Sequence, residues 1–79
     1  MTAKQITVYT GDECSESNQM ISLLEELEVK YNEKNVSKNR EYLTELQSRN
    51  IYSTPAIFIG EQVLLGFQSQ KTQQLIQLI

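Results

Sequence analysis

Ile6-Thr7-Val8-Tyr9-Thr10-Gly11-Asp12-Glu13-Cys14-Ser15-Glu16-Ser17 is the stretch on which the fold turns. Its first residues are β-branched or aromatic and read as a strand, and Thr10-Gly11-Asp12-Glu13 reads as a loop. After Cys14 the period changes. Met20, Leu23, Leu24 and Leu27 fall at i, i+3, i+4 and i+7, which predicts a helix from Ser15 to Lys30, with Glu26 and Lys30 as a supporting pair. Cys14, the only cysteine, therefore stands between a strand and a helix N-terminus. Unpaired backbone N–H groups and the positive end of the helix dipole favour a thiolate there, which makes this lone thiol a candidate nucleophile or redox centre. A small buried hydrophobe is the plainer reading of a single cysteine. Cys14-Ser15-Glu16-Ser17 has the spacing of a Cys-X-X-Cys motif with serine in the second cysteine's place.

Downstream, Tyr31 to Val36 reads as a second strand, and Ser37 or Asn39 as the N-cap of a second helix with Tyr42, Leu43 and Leu46 as its buried face. Glu45 and Arg49 would support that helix as an i, i+4 pair, and Asn50 would stop it. Ala56–Ile59 and Gln62–Leu65 are two strands joined by Gly60-Glu61, the Gly-X signature of a type II′ hairpin. Ser69 reads as the N-cap of a last helix whose apolar residues are Leu75, Ile76, Leu78 and Ile79. The predicted order is β-α-β-α-β-β-α. A strand–helix–strand unit pairs in parallel and a tight hairpin antiparallel, so the expected fold is α/β with a mixed four-stranded sheet flanked by three helices.

A chain of 79 residues is expected to form one small domain over residues 1–79, near the lower limit for an unaided core. One cysteine cannot form an internal disulfide, and Met1 to Gln5 lack the apolar core of a signal peptide, so a cytoplasmic, reducing location is expected. The longest apolar run, Ala56 to Ile59, is far short of the ~20 residues that cross a bilayer. A net charge of −3 with scattered Lys and Arg offers no stripe for phosphate contacts, which argues against nucleic acid. With no histidine, imidazole metal sites and Cys–His proteases are out of reach and no metal is expected.

The element order, the thiol at the first strand-to-helix junction and the proline opening the third strand together resemble the thioredoxin fold. The resemblance is to its small glutaredoxin-like group, and within it to the NrdH-type redoxins that supply electrons to ribonucleotide reductase. Ile6 to Thr10 followed by three residues and Cys14 looks like their opening, Ser53-Thr54-Pro55-Ala56-Ile57 like their cis-proline segment, and Gly66-Phe67 like their Gly-Phe before the last helix. The resemblance implies Cys14 as the attacking thiolate and Ser17 beside it in the resolving position. It also implies a cis Pro55, Thr54 offering its backbone to a substrate in strand-like pairing, and Gly66 and Phe67 flanking that groove.

Ser17 departs from the dithiol pattern and limits the chemistry. A dithiol redoxin releases its product when the second thiol attacks the mixed disulfide, and a serine cannot. The reading is a small thiol–disulfide redoxin acting through one cysteine, by monothiol exchange or deglutathionylation, on protein disulfides or mixed disulfides, with ribonucleotide reductase as the implied partner. Glutathione or another low-molecular-weight thiol would be the co-substrate, with no tightly bound cofactor and a monomeric chain. Two alternatives stand beside it: a non-enzymatic thioredoxin-like binding module, and a dithiol redoxin whose resolving cysteine has been replaced by serine. Iron–sulfur binding by monothiol relatives uses Cys-Gly-Phe-Ser, which Ser15 and Glu16 do not provide. The glutathione-binding Lys or Arg before the cysteine and the later Gly-Asp pair of glutaredoxins are also absent, with Thr10 or Gly11 and Gln68-Ser69 in their places. Asp12, Glu13 and Glu16 oppose the helix terminus. An exposed carboxylate at ~6 Å is worth under about 1 kcal/mol in water, and the helix end roughly 0.3–1 kcal/mol, so a moderately lowered thiol pKa is expected.

Overall fold

The computed structural model describes residues 5–77. The β-branched run forms β1 (Ile6–Thr10), followed by α1 (Ser15–Glu26), β2 (Asn32–Asn35), α2 (Arg40–Ser48), β3 (Ala56–Ile59), β4 (Gln62–Leu65) and α3 (Ser69–Gln77). The sheet has the order β2-β1-β3-β4. β1 and β2 are parallel, joined through α1, while β1–β3 and β3–β4 are antiparallel. This is the expected mixed sheet with three helices.

Alternation along β1 assigns each residue to a face. Ile6 and Val8 pair with Ile59 and Ile57, and these four pack with Met20, Leu24 and Ile76 of α1 and α3. Tyr9 pairs with Ala56 and joins Leu46 and Ile51 under α2. The central strands β1 and β3 are thus buried between α1 and α3 on one side and α2 on the other, while the edge strands β2 and β4 are largely exposed. Val8, Met20, Leu24 and Ile57 have no exposed surface, and fully burying such a side chain stabilises the fold by about 1.5–3 kcal/mol.

Two helices end on the same device. In α1, the N–H of Glu28 donates to the carbonyl of Glu25 and that of Val29 to Leu24, with Glu28 at φ 56. In α2, Asn50 donates to Gln47 and Ile51 to Leu46, with Asn50 at φ 62. Both are Schellman closures, and in each the residue after the left-handed one packs with the helix residue whose carbonyl it caps: Val29 with Leu24, Ile51 with Leu46. Asn50 ends α2 as its sequence predicted. α1 stops earlier than expected, because the left-handed Glu28 turns the chain before Lys30 and so dissolves the expected Glu26–Lys30 pair.

One open alternative is decided and two further expectations are revised. Asn39, not Ser37, caps α2, its side chain accepting from the Glu41 N–H at 2.9 Å. The expected Glu45–Arg49 pair gives way to Lys34, whose Nζ reaches Glu45 Oε1 at 3.0 Å across from β2, while Arg49 lies over the Phe58 ring. α3 begins with Ser69 inside it, since the Gln68 carbonyl takes the first helical bond from the Thr72 N–H at 2.9 Å. Leu78 and Ile79 lie outside the described residues. The hairpin follows its Gly-X signature: Gly60 has φ 60 and Glu61 does not share the positive sign. Among the described residues no helix is long and apolar enough to cross a membrane.

Candidate active site around Cys14

The loop Gly11–Glu13 carries the chain from the end of β1 to α1, with Glu13 at φ 58 just before the thiol. Cys14 is extended (φ −110, ψ 104) and is the N-cap of α1, its carbonyl accepting from the Asn18 N–H at 3.2 Å. The thiol is half-buried and unpaired. Sγ makes no regular capping bond to the helix, but the N–H groups of Glu16 and Ser17 face it closely enough to favour negative charge.

Ser17 is 1 % exposed. Its Oγ accepts from the Gly11 N–H at 3.3 Å, which leaves the hydroxyl proton available to the thiol. From β3's leading segment, Thr54 completes the surroundings: the thiol donates to the Thr54 carbonyl at 3.7 Å, and the Thr54 hydroxyl approaches Sγ at 3.7 Å. The first contact serves the protonated thiol and the second the thiolate. The Ser17 hydroxyl is the largest influence and lowers the thiol pKa; burial pushes upward, and the Ser17 N–H, the Thr54 hydroxyl and the Glu16 N–H lower it further. The net result is a thiol that titrates below its ordinary value.

Two of the three acidic residues around the thiol are engaged elsewhere, while Glu13 is exposed to solvent. Asp12 accepts from the Asn35 side-chain amide at 3.1 Å, and Glu16 accepts from the Phe67 N–H at 3.0 Å. Gly11 allows the close approach of the loop to Thr54, since a Cβ there would lie 3.1 Å from the Thr54 hydroxyl. The Thr54–Pro55 peptide is cis, and the Pro55 carbonyl accepts from the Gly66 N–H at 2.8 Å. Cys14, Ser17, Thr54, Pro55, Gly66 and Phe67 are thus gathered at one end of the sheet, with Phe67 also packed against the main core. The sequence flagged Glu16 only as a charge near the thiol and Gly11 only as a missing cation; the Glu16–Phe67 bond, the approach of Gly11 to Thr54 and the Thr54 hydroxyl at Sγ were not legible, because these contacts join residues 40 to 51 positions apart.

A second polar cluster lies on the α2 side. Tyr9 and Lys34 both bond to Glu45, which raises the Lys34 pKa chiefly through the Glu45 hydrogen bond. Among the described residues no group of three His, Cys, Asp or Glu side chains could hold a metal ion.

The Glutaredoxin family model matches residues 6–64. Among solved structures, the thioredoxin-like protein BC3987 is 35% identical, with a TM-score of 0.84, covering 90% of this chain and 99% of that one. The glutaredoxin-like NrdH-redoxin from Escherichia coli is 21% identical, with a TM-score of 0.81 and coverage of 90% and 93%. A glutaredoxin from Archaeoglobus fulgidus is 19% identical, with a TM-score of 0.81 and coverage of 92% and 86%. The last two share the thioredoxin-like fold. No curated protein sequence matches the chain.

Proposed function

The chain belongs to the glutaredoxin family, and on that premise we propose that it is a monothiol redoxin whose nucleophile is Cys14. The observation that carries this reading is the half-buried thiol at the N-cap of α1 with the Thr54 hydroxyl 3.7 Å from Sγ, surroundings in which the Ser17 hydroxyl above all holds the thiol below its ordinary pKa. A thiolate, not a thiol, attacks disulfides.

In the proposed cycle the Cys14 thiolate attacks one sulfur of a disulfide. The old S–S bond breaks, a mixed disulfide forms at Cys14, and the departing thiolate leaves with the electron pair and takes a proton from water. Ser17 has no thiol for the return step. An external thiolate, from glutathione or another low-molecular-weight thiol, therefore attacks the mixed disulfide, restores Cys14 and forms a new disulfide with the released group. Thr54 and the Pro55 segment would present backbone to the substrate chain, with Gly66 and Phe67 beside it. Protein mixed disulfides are the substrates this scheme suits. Ribonucleotide reductase, the partner implied by resemblance, would likewise be served only while an outside thiol resolves Cys14. Such a scheme belongs in a reducing compartment such as the cytoplasm.

The test is alkylation of fully reduced protein by iodoacetamide across pH, followed by trapping with oxidised glutathione. A thiolate midpoint well below the free value of about 8.5 and a stable adduct that only added thiol removes are expected. Ser17→Cys should release the same adduct unaided. A midpoint at or above the free value would overturn the reading and leave the fold as a binding module.

A further inference from the structure

Glu16 lies two residues after the nucleophile, and its side chain reaches out of α1 to a distant loop. Its Oε1 accepts from the Phe67 N–H at 3.0 Å, and the same oxygen lies 3.6 Å from where a Cβ on Gly66 would stand. Gly66 has φ +75, a backbone state that suits glycine, and the carboxylate stands against the Gly66–Phe67 peptide. The Gly66 N–H is tied in turn to the Pro55 carbonyl at 2.8 Å, next to Thr54, which contacts Sγ. A backbone donor in the loop bonded to the Thr54–Pro55 side of the site is therefore already filled by a negative charge of the protein itself.

We propose that Glu16 is a specificity-determining residue that selects against disulfides carrying carboxylates near the attacked sulfur and in favour of neutral or cationic ones. This rests on the redoxin reading, because discrimination has meaning only where Cys14 exchanges. An anionic disulfide approaching Sγ meets a like charge pinned at the Gly66–Phe67 loop, and the Phe67 donor it could use is occupied. A cationic disulfide meets the same carboxylate as an attraction. Asp12 differs from Glu16 in that its carboxylate is held by Asn35 on the β2 side.

The experiment measures the initial rate of adduct formation at Cys14 by intact mass, with oxidised glutathione, neutral hydroxyethyl disulfide and cationic cystamine, in the wild type, Glu16→Gln and Glu13→Gln. Dividing each rate by that for hydroxyethyl disulfide removes any change in the thiol's own reactivity. Glu16→Gln is expected to raise the glutathione ratio by about threefold to fivefold, the scale of one exposed charge contact, and to lower the cystamine ratio. Glu13→Gln, which removes an equal charge beside Cys14, should move both ratios by less than about twofold. Unchanged ratios in Glu16→Gln, or equal shifts in both variants, would overturn the assignment. A wild type that forms no adduct with any of the three disulfides would instead overturn the redoxin reading, and this proposal with it.

Discussion

Cys14 owes its lowered pKa more to Ser17 than to any other residue, which gives the serine a measurable part in a site where it cannot resolve a disulfide. Ser17→Ala should raise the thiolate midpoint and slow alkylation at neutral pH by a few-fold, about the effect of losing one hydrogen bond to a charged group. An unchanged alkylation profile would remove Ser17 from the site. The same shift couples to folding. Between the lowered native value and the unfolded value near 8.5, the unfolded state holds a proton that the native thiolate has lost, so stability rises with pH through that window and levels off above it. Urea denaturation at stepped pH should show this rise in the reduced protein and not after carbamidomethylation. The series stays below the range where Tyr31, raised chiefly by burial and next by Glu25, begins to titrate. A rise of equal slope in the blocked protein would assign it to another group.

Helix ends set the lengths of the connections that deliver β2 and β3 to the sheet. α1 closes with glutamate in a left-handed conformation, Glu28 at φ 56, where an L side chain costs roughly 1–2 kcal/mol and glycine costs little. Glu28→Gly should stabilise the protein by about 0.5–1 kcal/mol, less than the full strain because glycine also loosens the unfolded chain; a lower denaturation midpoint would contradict the Schellman assignment. α3 carries a different flaw. Thr72 is fully buried and its hydroxyl has no hydrogen-bond partner among the described residues. Thr72→Val keeps the shape and removes the unsatisfied group, so a gain of about 1 kcal/mol is expected, read as a rise of roughly 4–8 °C in Tm. A loss of stability would mean that the hydroxyl is satisfied in solution.

The whole molecule rests on a sheet whose central strands are covered on both faces, and a chain this small has little core to spare. Leu24 is fully buried among the residues that join α1 and α3 to β1 and β3. Leu24→Ala should cost about 2–5 kcal/mol, a large part of the roughly 5–15 kcal/mol available to a small domain, and chemical denaturation would measure it; a cost below about 1 kcal/mol would indicate a site that collapses freely. Alternation in Ile6–Thr10, the helical period after Cys14 and the Gly60-Glu61 turn made the element order legible without coordinates, because each is a local preference written within a few residues. Cys14 at a helix start and Pro55 opening a strand were legible for the same reason. The order β2-β1-β3-β4, the end of α1 before Lys30 and the Lys34–Glu45 pair were not, since they depend on which surfaces meet after collapse. The site divides in the same way. Local sequence determined that a single thiol would stand at a helix N-terminus with serine three residues on. Only the tertiary structure decided that Thr54 would reach that thiol from 40 positions away and that Glu16 would spend its charge on Phe67, because hydrogen bonds act over about 3 Å of space whatever the separation along the chain.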